Sequence, residues 1–121
     1  MKVINDLLDY KGMKIVQDDT YFNFSLDSVL LPNFVTIKSN TNKILDLGTG
    51  NAPIPLIFSR LNEKADIYGI EIQKEVYDLA VESVKMNNLE NRIHIIKVYC
   101  NKYSNKGNIY LFLSMFLISN E

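Results

Sequence analysis

From residue 43 onward the apolar positions fall into short runs whose period switches regularly. KILDL, Lys43–Leu47, is a compact apolar run that ends at a glycine turn, and it predicts a strand. Residues 54–61 predict a helix. Pro53 and Pro55 sit in its first turn, where a missing N–H costs little. DIYGI, residues 66–70, predicts a second strand. Residues 74–88 predict a second helix: Val76, Leu79, Ala80 and Val84 share one face, and Asn87-Asn88 suits its end. RIHIIK, residues 92–97, predicts a third strand. Strand–helix–strand–helix–strand implies an α/β fold with a parallel sheet and right-handed crossovers.

Upstream the pattern is shorter-ranged. Val3, Ile4, Leu7 and Leu8 recur at helical spacing and predict a short N-terminal helix that ends at Gly12. MKIVQ (13–17) and YFNFS (21–25) predict two strands of a hairpin around the turn Asp18-Asp19-Thr20. A helix is expected next, with Ser25 as its cap and Leu26, Val29, Leu30 and Phe34 on one face. Pro32 falls inside it and predicts a kink or an early end. After Lys97 the character changes. VYCNKYSNKGN is polar and aperiodic, and the apolar run IYLFLSMFLI follows at 109–118. At ten residues that run is about half of a membrane span.

Composition narrows the function classes. The chain has 121 residues, 47% of them hydrophobic, which suits one domain with a real core. Net charge is −1 with no basic stripe, so the footprint of a self-sufficient nucleic-acid binder is missing. The single cysteine, Cys100, can form no internal disulfide and has no neighbour for a metal site. His94 is the lone histidine, so a strand-surface position is expected for it and no metal role. The N-terminus shows no apolar signal-peptide core, and a cytoplasmic location is expected.

The glycine turn, Gly48-Thr49-Gly50-Asn51-Ala52, carries the candidate chemistry. Glycines let backbone approach a ligand closely, and the following helix N-terminus offers N–H groups. A phosphate-cradling P-loop ends in Gly-Lys-Ser/Thr, whereas Asn51-Ala52-Pro53 stands here. A dinucleotide loop needs a third glycine where this chain has Pro53. S-adenosylmethionine has no phosphate; it has an amino-acid end, a sulfonium and an adenosine. Asp46, two residues before Gly48, suits the positive groups. Glu71, at the end of the next strand, suits ribose hydroxyls.

DLGTGNAPIP and GIEIQ resemble the first and second motifs of class I S-adenosylmethionine-dependent methyltransferases. DYKGMKIVQDDTYFNFSLDSVLLPNF, ahead of the loop, resembles a narrower group, the bacterial tRNA (valine) adenine-N6 methyltransferases. The resemblance covers about residues 5–97. It implies a Rossmann-like fold and S-adenosylmethionine as cofactor. It places Ser25 and Asp27 near the methionine end, and Asp46, Gly48, Thr49, Gly50 and Asn51 along it. It also sets Glu71 on the ribose and Ile72 on the adenine. Ala52 departs from the glycine usual in the wider class.

The match breaks further on. The acidic residue such enzymes carry after the third strand is replaced by Val98-Tyr99-Cys100. Adenine-N6 methyltransferases orient the exocyclic amine with Asn/Asp-Pro-Pro-aromatic, whose aromatic stacks on the extruded base. The three prolines here, Pro32, Pro53 and Pro55, are not adjacent, so that motif is absent from this sequence and no catalytic residue is assigned. The expected organisation is a cofactor-covering segment at 1–42, a partial cofactor-binding domain at 43–97 and a divergent tail at 98–121. The expected parent activity is methyl transfer to adenine N6 of tRNA, with no membrane or metal partner. The chain itself is expected to be weakly active or inactive and to self-associate through unpaired edges. The competing expectation is a non-catalytic cofactor-binding module completed by a partner chain.

The tail is rich in Asn, Lys, Tyr, Ser, Ile and Phe, a composition that AT-rich coding sequence gives out of frame. The expectation is a frameshift near Lys97; the rival is that IYLFLSMFLI supplies a substitute fourth strand or helix. Sequencing the gene tests the first: another frame after codon 97 should encode Asn-Pro-Pro-aromatic, and its absence there sinks the idea.

Overall fold

The structure is a computed structural model. It describes residues 1–7, 10, 12–21, 26–35, 37–98 and 115–119. Three parallel strands form its centre: β3 (Lys43–Leu47), β4 (Asp66–Glu71) and β5 (Ile93–Lys97). Two helices connect them, α2 (Pro53–Leu61) and α3 (Lys74–Met86). These five elements lie where the apolar periods place them. Asn87 is the C-cap of α3, and Asn88 has φ 56, the left-handed conformation that ends many helices.

One face of the sheet is closed. Ile44, Ile67 and Ile93 join Leu56, Ile57, Phe58 and Val84 in a single buried cluster. Asp46, Gly69 and Glu71 follow on the same face towards the carboxyl ends of β3 and β4. The opposite face carries Leu45, Leu47, Tyr68, Ile70 and His94, all half-buried, and Ile96, which is exposed. His94 has the strand-surface position expected of it. Its ring lies 5.0 Å from that of Tyr68 at 33°, and Nε2 is 3.7 Å from Asp66 Oδ1. Parallel sheets are ordinarily covered on both faces.

A fourth strand, β6 (Met115–Ser119), pairs with β3 in the antiparallel sense. The last part of the apolar run thus forms a strand at the sheet edge. The strand order is β5-β4-β3-β6, so the chain moves outward from β3 in one direction and then returns to its other side.

The N-terminal region differs from expectation. The predicted helix over Val3, Ile4, Leu7 and Leu8 is a strand, β1 (Lys2–Asp6), antiparallel to β2 (Lys14–Asp18). The helical spacing misleads because Val3 and Ile4, which are exposed and β-branched, do not share the burial of Leu7. The two strands read KVIND and KIVQD. Antiparallel register sets Lys2 opposite Asp18 and Asp6 opposite Lys14, so each lysine faces an aspartate. Lys14 Nζ bonds Asp6 Oδ1 directly. The hairpin expected between MKIVQ and YFNFS is therefore built from β1 and β2; residues 22–25 lie outside the described ones. The turn after β2 is as expected, with Tyr21 N donating to Asp18 O at 3.0 Å.

Helix α1 (Leu26–Phe34) continues two residues beyond Pro32. Its contact face differs from the expected one. Val29 and Pro32 are buried where α1 packs against α2, whereas Leu30 is 43% and Phe34 81% exposed.

Arg92 closes the far end of α2. Its guanidinium donates to Ser59 O at 3.0 Å, Asn62 O at 2.5 Å and Ala65 O at 2.9 Å. These carbonyls lie at and beyond the C-terminus of α2, where the helix leaves acceptors unpaired. Arg92→Ala should lower unfolding free energy by about 3 kcal/mol, since a charged donor is lost to several carbonyls at once. Urea denaturation reads this, and a loss well under about 1 kcal/mol would show that water replaces the guanidinium freely.

Candidate functional site

Residues 48–52 leave the carboxyl end of β3 and enter α2. The end of β4 holds their backbone. Gly48 N and Thr49 N both donate to Ile70 O at 2.9 Å, and Gly50 N donates to Glu71 Oε2 at 3.0 Å. The loop turns sharply: Gly48, Gly50 and Ala52 have φ of 71°, 61° and 70°. The first two are glycines for that reason; Ala52 takes the same region at a cost of about 1 kcal/mol. Strand order reverses at β3, and in open α/β sheets the crevice at such a point is where ligands bind.

The start of α2 makes a poor phosphate cradle. Pro53 and Pro55 occupy two of its first three positions, so Ile54 alone can offer an amide there. The turn therefore favours a ligand recognised by other means than backbone N–H groups on a phosphate.

Glu71 is 9% exposed and accepts three backbone amides: Gly50 at Oε2, and Ile72 and Gln73 at Oε1, at 2.8 and 2.9 Å. These charge-assisted bonds lock the carboxylate while leaving acceptor capacity at Oε2. Asp46 is in the opposite condition. It is fully buried, and neither of its oxygens nor Thr49 Oγ1 has a hydrogen-bond partner among the described residues. Burial pushes the Asp46 carboxyl up to about 7; the nearby Thr49 hydroxyl, whose geometry falls short of a hydrogen bond, offsets part of this through its dipole, and the charge of Glu71 adds to it. Buried polar groups without partners are rare, and they concentrate at functional sites. The donor such a carboxylate lacks is what a cationic ligand group supplies.

Gly69 keeps this arrangement close-packed. It stands beside Asp46 in the β3–β4 register, and a Cβ there would lie 2.8 Å from Thr49 Oγ1 and 2.9 Å from Thr49 Cβ. The Thr49 side chain rests on bare backbone, which only glycine provides.

Of the residues singled out in the sequence, Asp46, Gly48, Thr49, Gly50, Asn51 and Glu71 converge at the carboxyl ends of β3 and β4. Ile72 follows at once and is 57% exposed. Asp27 is the second residue of α1, and Ser25 lies outside the described residues. Val98, where the acidic residue after the third strand was sought, donates its amide to Glu71 O at 3.0 Å. Sequence reasoning missed three participants. Gly69 carried no visible mark within a strand. Ser83 drew no assignment and Asn87 only that of a helix end, yet both bond the backbone of β2. Among the described residues no group of three His, Cys, Asp or Glu could hold a metal ion, and no helix is long and apolar enough to cross a membrane.

Solved structures show what this fold is. The chain superposes on TYW2 of M. jannaschii in complex with AdoMet with a TM-score of 0.64, at 18% identity over 79% of this chain and 42% of that one. TYW2 of P. horikoshii in complex with MeSAdo gives 0.63 at 19% identity, covering 81% and 36%. The fold is therefore Rossmann-like, of the kind found in S-adenosylmethionine-dependent methyltransferases. At the level of sequence the chain is similar to the tRNA1(Val) (adenine(37)-N6)-methyltransferase of Flavobacterium psychrophilum, 29% identical over 94 residues and 78% of the chain. The enzyme of the same name from Flavobacterium johnsoniae is 28% identical over 87 residues and 72% of the chain. The chain spans 38% and 37% of the length of these two relatives. No family model matches it.

The buried carboxyl has a measurable signature. The folded pKa of about 7 lies above the unfolded value, so the folded chain holds a proton that the unfolded chain has released. This contribution is fully present below the unfolded pKa, near 4, and is lost as pH rises through 7. Asp46→Asn should abolish that decline and be more stable than the parent at pH 8, by at most about 4 kcal/mol. Denaturant titrations between pH 4 and 8 measure it. A parent whose stability does not fall across this window would refute a protonated Asp46.

Proposed function

We propose that this chain forms the cofactor-binding half of an S-adenosylmethionine-dependent methyltransferase that acts on adenine N6 of tRNA. One observation carries the cofactor reading: the partnerless buried carboxyl of Asp46 beside the loop, with the anchored Glu71 on the neighbouring strand. In this reading Asp46 meets the positive groups of the methionine end, and ionises as they bind. Gly48, Thr49 and Gly50 let the ligand approach backbone. Glu71 takes a ribose hydroxyl at the free capacity of Oε2, and exposed Ile72 gains cover from the adenine. Ser25 and Asp27 would serve the methionine end. S-adenosylmethionine supplies the methyl group on a sulfonium that is already a good leaving group, so these residues hold and orient it.

The substrate reading rests on the relatives, whose names specify adenine 37 of tRNA1(Val). No Asn-Pro-Pro-aromatic run occurs in the 121 residues, and no two of the three prolines are adjacent. We therefore propose that the chain alone binds cofactor without appreciable turnover. The groups that orient the base would come from outside these 121 residues, for example from a partner chain.

Calorimetry with S-adenosylhomocysteine, run beside a methyl-transfer assay on unmodified tRNA, tests both parts. Binding without turnover is the expected result, with Asp46→Asn weakening binding by about tenfold or more through loss of a charge-assisted contact. No binding at millimolar ligand would refute the cofactor reading. Turnover would refute the claim that the missing motif is needed.

A further inference from the structure

Among the described residues no strand lies along the outer edge of β2, and side chains bond its outward backbone groups. Lys14 N donates to Asn87 Oδ1 at 2.9 Å, and Asn87 Nδ2 donates back to Lys14 O at 2.6 Å. Two residues along, Val16 N donates to Ser83 Oγ at 2.9 Å, and Asn51 Nδ2 donates to Val16 O at 2.9 Å. Val16 is fully buried, so both of its backbone groups depend on these partners. One partner belongs to α3 and the other to the glycine loop. Ser83 is linked to the loop by hydrogen bonds through Val16.

We infer that Asn51 and Ser83 are positioning residues that fix the conformation of the glycine loop through the backbone of Val16, and so preorganise it for S-adenosylmethionine. This rests on the cofactor reading of the loop.

The geometry requires such an anchor. Three of the five loop residues lie at positive φ, and one of them, Ala52, is not a glycine, so its conformation persists only where surroundings hold it. The end of β4 holds residues 48–50 from one side, through Ile70 O and Glu71. Asn51 holds the other side, and its side chain is 4% exposed, with an amide donor engaged by Val16 O. Asn51 thus serves the site by holding its frame, a different role from lining it. Loss of the Ser83 hydroxyl leaves a buried N–H unpaired and slackens β2 against α3. The carbonyl of Val16 then presents itself less rigidly to Asn51, and the loop samples more conformations before ligand arrives.

Ser83→Ala, Asn51→Ala and the double variant should be titrated with S-adenosylhomocysteine. Each single change should weaken binding about three- to tenfold, and the double should be no weaker than the weaker single, because both act through one residue, Val16. Arg92→Ala is the control: it destabilises the fold from a distance and should leave affinity unchanged. Amide hydrogen exchange of the free chain gives a second readout. Gly48, Thr49 and Gly50 should exchange faster in Ser83→Ala, with the β4–β5 amides unaltered. If Ser83→Ala does not fold, Ser83→Cys, of similar size and weaker as an acceptor, should show the same loop-specific acceleration. Parent-like affinity in Ser83→Ala, additive losses in the double variant, or unaltered loop exchange would each overturn the inference. If the parent itself binds no S-adenosylhomocysteine, the cofactor reading fails, and the exchange data alone decide whether Ser83 and Asn51 position the loop.

Discussion

One carbonyl organises the working end of this molecule. Ile70 O, at the tip of β4, accepts amides from both Gly48 and Thr49, and so ties the exit of one parallel strand to the end of the next. That contact needs the β3–β4 register, and the register needs a glycine at position 69, where Thr49 lies too close for any side chain. The next residue, Glu71, gathers three further amides. Sheet pairing, loop shape and the placement of two carboxylates therefore form one cooperative unit, and a change in any part is felt by the others.

The two acids show how alike side chains come to different ends. Glu71 lies where the chain turns, and turning exposes backbone amides that a carboxylate can collect. Asp46 lies within a strand, where the ladder already uses the backbone, so its buried oxygens find no donor. The fold tolerates that deficit near neutral pH by keeping the proton. Such local cost at the mouth of a site is a familiar feature of binding proteins, which hold interactions in reserve for a ligand.

The parallel sheet was legible because its signals are local and repeated. Apolar runs of five or six residues alternate with amphipathic helices, and Pro53 and Asn87-Asn88 punctuate them. The acids at 46 and 71 were legible from their spacing, since one strand–helix–strand unit separates them. The N-terminal strands were not. Their signal is complementarity between KVIND and KIVQD, twelve residues apart and visible only once the two are set antiparallel. Ser83, Asn87 and Val16 were hidden for a related reason. A side chain that completes another segment's backbone leaves no periodic trace, because its partner is a peptide group that every residue possesses. On α1 the expected face was right at Val29, which is buried, and wrong at Leu30 and Phe34, which are exposed, while Pro32 is buried instead.

The direction of β6 sets a limit on reach. Met115 lies beside Leu47, at the end of the sheet that bears the glycine loop, while Ser119 lies beside Lys43 at the opposite end. A parallel strand in that place would deliver the chain to the mouth of the site as it finished. This one carries the chain away, by about 13 Å over its five residues. Any group that follows it must travel that length back to reach the glycine loop. The fourth strand adds an edge to the sheet and, by its polarity, runs away from the mouth of the crevice.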